Sequence, residues 1–182
     1  MKKIILALFC MPSAVLNAQD DGFKSSSCLL HNKGMQSAGA RVGIGTKNKI
    51  GYGLDWSLCL NSNLAVAIEI DQEKAVFGHS DFSNDFLFGG GIDWAFVHPT
   101  NWMFLNWTLG ANIGHDTWSA DVPKNGTVKT LCYGANTGFQ MDFYPTSKLN
   151  LSLKAQQYLL FSSAENYAKP MFTFGIKYVW NN

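Results

Sequence analysis

Two short polar groups are the places in this sequence where catalytic chemistry could be sought. They are His79-Ser80-Asp81 and His115-Asp116. A nucleophile needs a base in hydrogen-bond contact, and adjacency along the chain does not supply that geometry by itself. Polar loop tips explain both groups equally well. We therefore predict no catalytic, cofactor-binding or metal-binding residues, and we expect the protein not to be an enzyme.

A larger polar set falls at alternate positions within otherwise apolar stretches. Every charged residue of these stretches lies opposite the large apolar side chains, so the charges share one face. Unpaired buried charge is costly. We therefore expect the set to pair and hydrogen-bond into a plug rather than to form a transport path. The members of this predicted lumen polar network are Arg41, Asp55, Glu69, Asp71, Asp93, Gln140, Asp142, Lys154 and Lys177.

The elements that hold these residues are strands, as residues 50–60 show most clearly. Ile50, Tyr52 and Leu54 alternate with Gly51 and Gly53, and the alternation continues to residue 60. Successive side chains of a strand point to opposite faces, whereas a helix would scatter both sets around its axis. The same period of two predicts further strands at 37–45, 64–71, 86–97, 102–114, 129–143 and 149–161, and a last strand ending near residue 180.

The predicted connections alternate in length. Those after the second, fourth and sixth strands are short, whereas residues 72–84, 115–128 and 162–169 form long loops. In an up-and-down sheet the two sets lie at opposite ends, as in outer-membrane barrels with short periplasmic turns and long external loops. The sequence thus predicts an all-β fold, an eight-stranded antiparallel up-and-down transmembrane β-barrel.

A soluble, lipocalin-like barrel has the same strand count but turns its apolar face inward. Volume decides between the two, because an eight-stranded interior holds only about 12 side chains in three layers in the best-described case. The apolar face here carries far more large side chains than that. We therefore expect the apolar face to contact lipid, with aromatic girdles at both interfaces. The predicted girdle residues are Trp56, Trp94, Trp102, Tyr133, Phe143 and Trp180.

The start of the chain predicts export. Residues 1–18 read as a signal peptide, with Lys2-Lys3 before an apolar run and Ala18 at the cleavage site. Residues 19–35 read as a periplasmic leader and residues 36–182 as the barrel domain in the outer membrane. Charged residues make up 15% of the chain and the net charge is +1, so no nucleic-acid binding is expected. Whether Cys28 and Cys59 form a disulfide stays open.

Several strand motifs carry a resemblance to a known family. Over the mature chain the sequence resembles the small outer-membrane barrels of Bacteroidetes-type bacteria, and its second half is most similar to the TraO family of conjugative-transposon transfer proteins. This resemblance implies a membrane-embedded part of a DNA-transfer apparatus, with lipid and other transfer or envelope proteins as partners. An adhesin-like barrel and a lipid A-modifying enzyme remain alternatives. The motifs are Leu109-Gly110-Ala111, Gly114-His115-Asp116, Tyr133-Gly134-Ala135, Phe143-Tyr144 and Phe174-Gly175-Ile176-Lys177.

Overall fold

The computed structural model describes residues 32–45, 49–75, 82–100, 102–119, 128–161 and 168–181. Within these ranges the chain forms eight strands and no helix that could cross a membrane. The strands are β1 Met35–Ile44, β2 Lys49–Cys59, β3 Leu64–Ala75, β4 Phe82–Thr100, β5 Met103–Ser119, β6 Val128–Thr146, β7 Leu149–Phe161 and β8 Ala168–Asn181. The predicted signal peptide, most of the leader and Cys28 lie outside the described residues.

The eight strands form one closed antiparallel barrel in which each strand pairs with the next along the chain. The closing ladder joins β1 to β8 and runs from Met35 opposite Asn181 to Ile44 opposite Phe172. Closure leaves no unpaired strand edge on which another chain could add. The predicted eight-stranded up-and-down barrel is confirmed.

The large apolar side chains point outward. Leu54 is 60% exposed, whereas the next residue, Asp55, is 6% exposed. The same alternation holds on β8, where Phe172, Phe174 and Ile176 are exposed and the residues between them are buried. A lipocalin-like barrel would have the reverse arrangement, so that alternative is wrong for this chain. The inward and outward faces predicted from apolar alternation are confirmed on all eight strands.

Several strands extend beyond their predicted ends, so the predicted long loops were too long. β3 continues to Ala75, β4 begins at Phe82, β5 continues to Ser119 and β8 begins at Ala168. Alternation is hidden in these extensions because both faces are polar there: Gln72 and Lys74 point outward while Glu73 points inward. Residues 76–81, 120–127 and 162–167, the remaining parts of the predicted loops, lie outside the described residues.

The two ends of the barrel differ in their connections. At one end, here called the short-turn end, lie the turns after β2, β4 and β6, together with Met35 and Asn181. The first of these turns is stabilised locally, because Asn61 Oδ1 accepts hydrogen bonds from the backbone N–H groups of Asn63 at 2.9 Å and Leu64 at 2.8 Å. The opposite end, here called the long-loop end, holds the connections after β1, β3, β5 and β7.

Candidate functional site: the filled barrel interior

The interior of the barrel is divided into layers along its axis. Inward residues of β8, followed from the long-loop end, are Lys169, Met171, Thr173, Gly175, Lys177 and Val179, so a charged residue precedes an apolar one at each end of this series. β4 repeats this order in Asp85, Leu87, Asp93 and Ala95. Strand tilt, rather than the pairing register, brings residues of one type to one height, because register partners often differ in type: Asp93 pairs with Ala65, and Phe104 pairs with Asp142. The result is four layers, named below from the short-turn end upward.

The lower apolar layer closes the short-turn end. Phe104 meets Tyr144 edge to face, with ring centroids 5.7 Å apart and planes at 86°, which is a favourable aromatic geometry. Phe104 also meets His98 edge to face at 6.0 Å. Phe104 and Tyr144 are buried in the lumen, whereas His98 is exposed. The layer consists of Met35, Cys59, Ala65, Ala95, Phe104, Tyr144 and Val179.

The middle polar layer is organised around Arg41 of β1, whose guanidinium reaches β3. Arg41 donates to Asp71 Oδ1 at 2.9 Å and to Asp71 Oδ2 at 2.5 Å, and it also donates to Glu69 Oε2 at 3.0 Å. From β7, Lys154 forms an ion pair with Glu69, and the Tyr158 hydroxyl donates to Asp71 Oδ2 at 2.9 Å. Strands β1, β3 and β7, no two of which are adjacent in the barrel, are thus joined by buried charge-assisted hydrogen bonds.

The remaining predicted network residues lie in the same layer but form separate groups. Lys177 pairs with Asp55, across the intervening strand β1. Asp142 accepts from Gln140 Nε2 at 2.9 Å and from Asn106 Nδ2 at 2.5 Å. Asp93 contacts no hydrogen-bond donor among the described residues. Eight of the nine predicted side chains therefore form three bonded groups, and Asp93 lies outside all of them.

The upper apolar layer separates the middle layer from the long-loop end. Met171 reaches across the lumen to the wall formed by β2, where a Cβ on Gly51 would overlap its terminal methyl group. A side chain at position 51 would therefore displace the flexible end of Met171. The layer consists of Leu87, Cys132, Tyr158, Leu160 and Met171. Cys132 here and Cys59 in the lower layer are buried free thiols.

An upper ionic cluster at the long-loop end was missed by the sequence reasoning. Lys169 donates to Asp85 at 2.6 Å and to Asp116 at 3.2 Å, and Lys49 donates to Asp85 at 3.0 Å. Glu73 is buried in the same region at 2% exposure. The predicted loops included Glu73, Asp116 and Lys169, whereas Lys49 and Asp85 lay just outside the predicted strands. The available signal was the inward period of two, which places Glu73 two residues after Asp71 and Asp85 two residues before Leu87.

The arrangement offers little for catalysis in the described part of the chain. His115 is exposed on the outer face, where it stacks on Phe86 with ring centroids 5.8 Å apart, whereas Asp116 is buried in the lumen. The barrel wall separates these two side chains, so Asp116 cannot orient His115 as a base. The predicted loop position of this pair was wrong, because both residues lie in β5. His79-Ser80-Asp81 lies outside the described residues.

Comparison with known proteins extends the fold assignment. No protein-family model matches the chain, and no curated protein sequence matches it. Among solved structures, the N-terminal β-barrel domain of OprF from Pseudomonas aeruginosa superposes with a TM-score of 0.62 at 12% identity, covering 81% of this chain and 98% of that one. Ail, the attachment invasion locus protein of Yersinia pestis, superposes with a TM-score of 0.57 at 16% identity, covering 81% of this chain and 99% of that one.

The outer membrane protein OprG from Pseudomonas aeruginosa gives a TM-score of 0.58 at 11% identity, covering 85% of this chain and 99% of that one. Identities this low establish likeness of fold alone. The chain therefore has the architecture of small outer-membrane barrels over nearly the full length of each of these three proteins.

Proposed function

We propose that the protein is a non-enzymatic outer-membrane barrel that anchors an envelope assembly and does not conduct solutes. The observation that carries this proposal is the pairing of an apolar outer face with a filled interior. Outward side chains such as Leu54, Ile92 and Ile176 suit hydrocarbon. The signal peptide predicted for residues 1–18 is consistent with delivery to the outer membrane.

Localisation is tested by cell fractionation and by gel migration. The mature protein should fractionate with the outer membrane, and the folded form should run faster than the boiled form on a denaturing gel. Recovery as a soluble periplasmic monomer would contradict lipid insertion. This result would also remove the basis for every anchoring role proposed below.

The absence of conductance follows from the layered interior. A solute would have to displace the Phe104–Tyr144 contact, the Arg41 ion pairs and Met171 in turn. Barrels with water-filled channels have about 16 to 18 strands, whereas this chain has eight. Purified protein in a planar bilayer should give no steady conductance. Large, stable open-channel steps from the monomer would overturn this part of the proposal.

Within this class we propose a place in a conjugative DNA-transfer apparatus. The support is the resemblance to the TraO family, whose matching motifs lie on β5, β6 and β8. In this role the barrel would hold other components through its long loops or through the periplasmic leader. Deleting the gene from a donor strain should abolish mating, and the full chain should restore it. Normal mating frequency in the deletion strain would exclude this role while leaving the anchored barrel intact.

A second candidate is an adhesin-like barrel that acts through the long-loop end. The likeness of fold to Ail, which is described as an attachment protein, favours this candidate. Bacteria that display the protein should then adhere to host cells or matrix more than the deletion strain does. A matched chain with the three connections 76–81, 120–127 and 162–167 shortened to turns should lose adhesion but keep fast gel migration. Equal adhesion of both strains would exclude the candidate.

A further inference from the structure

The middle polar layer contains more negative than positive groups. Five carboxylates face three cationic side chains between the two apolar layers. Four of these carboxylates are buried, and Asp93 is partly exposed. Buried charge without a partner is costly. The layer has two more carboxylates than cationic groups, and either protonation of a carboxylate or a bound cation can balance the excess. The carboxylates are Asp55, Glu69, Asp71, Asp93 and Asp142, and the cationic residues are Arg41, Lys154 and Lys177.

The hydrogen-bond pattern identifies the carboxylate that lacks a partner. Asp55 pairs with Lys177, and Glu69 and Asp71 pair with Arg41. Asp142 has no cation but accepts from two amides. Among the described carboxylates of this layer, only Asp93 has neither an ion pair nor a hydrogen bond.

A small cavity borders Asp93. Its volume is about 10 Å³, and its lining includes Thr108, Asn136, Glu69 and Lys154 besides Asp93. Thr108 lies directly opposite Asp93 in the register of β4 and β5. Thr108 is only 2% exposed, and its hydroxyl oxygen has no hydrogen-bond partner. A carboxylate and a buried hydroxyl oxygen thus face one cavity large enough for about one water-sized particle.

We propose that this cavity binds a small monovalent cation such as Na⁺, coordinated by Asp93 and the Thr108 hydroxyl. A divalent ion fits poorly, because Ca²⁺ takes about 6 to 8 oxygen ligands and Mg²⁺ keeps several waters. No three His, Cys, Asp or Glu side chains in the described ranges are arranged as a metal site. Lys154 also lines the cavity, but its ammonium group is held by Glu69.

Cation-dependent stability tests the site in the mature chain folded in lipid vesicles. The midpoint of thermal unfolding, followed by loss of the fast-migrating gel band, is compared in NaCl and in N-methyl-D-glucamine chloride at equal ionic strength. We expect a midpoint about 2 to 4 °C higher in NaCl at saturating sodium, because only the folded state holds the ion. Equal midpoints in the two salts would overturn the proposal.

Variants distinguish the site from a general salt effect. Asp93→Asn should abolish the difference between the salts, and Thr108→Val should reduce it, whereas Thr108→Ser should keep it. Thr173→Val is the matched control, since Thr173 is a buried lumen threonine that does not line the cavity. This control should keep the full difference. A difference that persists in Asp93→Asn, or that is lost in Thr173→Val, would contradict the assigned site.

Discussion

The inner and outer faces of the barrel wall are made from alternate residues of the same strands, but they constrain sequence differently. Outward residues such as Leu54 need only be apolar, because they meet fluid lipid rather than a particular partner. Inward residues such as Glu69 have named partners on other strands at fixed distances. The outer face therefore tolerates exchange within a residue class, while the inner face depends on each individual contact.

The largest effect should come from breaking a bonded inner pair. Glu69→Gln removes the carboxylate that pairs with both Arg41 and Lys154, so Lys154 loses its ion pair and Arg41 keeps only Asp71. Removing one partner of a buried pair costs about 3 to 5 kcal/mol. Urea titration of the protein refolded into vesicles should show a loss of this size in the free energy of unfolding.

Asp93→Asn is the matched control, since it makes the same charge change in the same layer at a carboxylate with no bonded partner. In buffer containing N-methyl-D-glucamine in place of sodium, we expect a change within about 1 kcal/mol, because no hydrogen bond is lost. A loss as large as that of Glu69→Gln would mean that charge number, rather than pairing, sets stability in this layer.

The second-largest effect should come from a charge on the outer face, and its size should depend on the depth of the residue in the bilayer. Leu54→Arg places a cation in the apolar band, which costs about 2 to 4 kcal/mol at the bilayer midplane and about 0 to 1 near an interface. Leu60→Arg makes the same change at the short-turn end, where Leu60 is 42% exposed. Folding yield in vesicles should fall sharply for the first variant and little for the second. Similar yields would show that the hydrocarbon band is centred elsewhere on β2.

Glycine provides a smaller and more local test of the two faces. A Cβ on Gly53, which faces inward, would lie 2.5 Å from the Ile70 carbonyl oxygen and 3.2 Å from Arg41 Nε. A Cβ on Gly90, which faces outward, would have its nearest neighbour at 3.8 Å. Gly53→Ala should therefore cost about 1 to 3 kcal/mol, as overpacking does. Gly90→Ala should be neutral in the same urea titration, and an equal cost for both would contradict a crowded lumen.

The fold was predictable because lipid contact makes the outward face uniformly apolar. The alternation of Phe172, Phe174 and Ile176 predicts a strand and its outward face without information on the adjacent strands. The strand ends were not predictable, since alternation disappears where Gln72 and Lys74 extend beyond the apolar band. The upper ionic cluster was not predicted for the same reason.

For the interior, the sequence predicted which polar residues point inward but not which of them contact one another. Arg41, Glu69 and Lys154 were expected to meet polar partners, but which of them meet depends on the register between distant strands, and a period of two carries no such information. The isolation of Asp93 was equally hidden. It follows from the lengths and directions of side chains on β4 and β5, which only coordinates supply.

The smallest effect should come from a hydrogen bond on the outer face, where lipid offers no replacement. Trp107 Nε1 donates to Thr137 Oγ1 at 2.9 Å between β5 and β6, and the Trp107 ring also meets Trp94 at 6.5 Å. Trp107→Phe removes the donor while keeping an aromatic ring, so it should cost about 0.5 to 1.5 kcal/mol. Thr137→Val removes the acceptor instead, and the double variant should cost less than the two single changes added together, because both delete the same bond. Strict additivity in urea titrations would mean that the bond contributes nothing, and that apolar character alone, without any specific pair, governs this face.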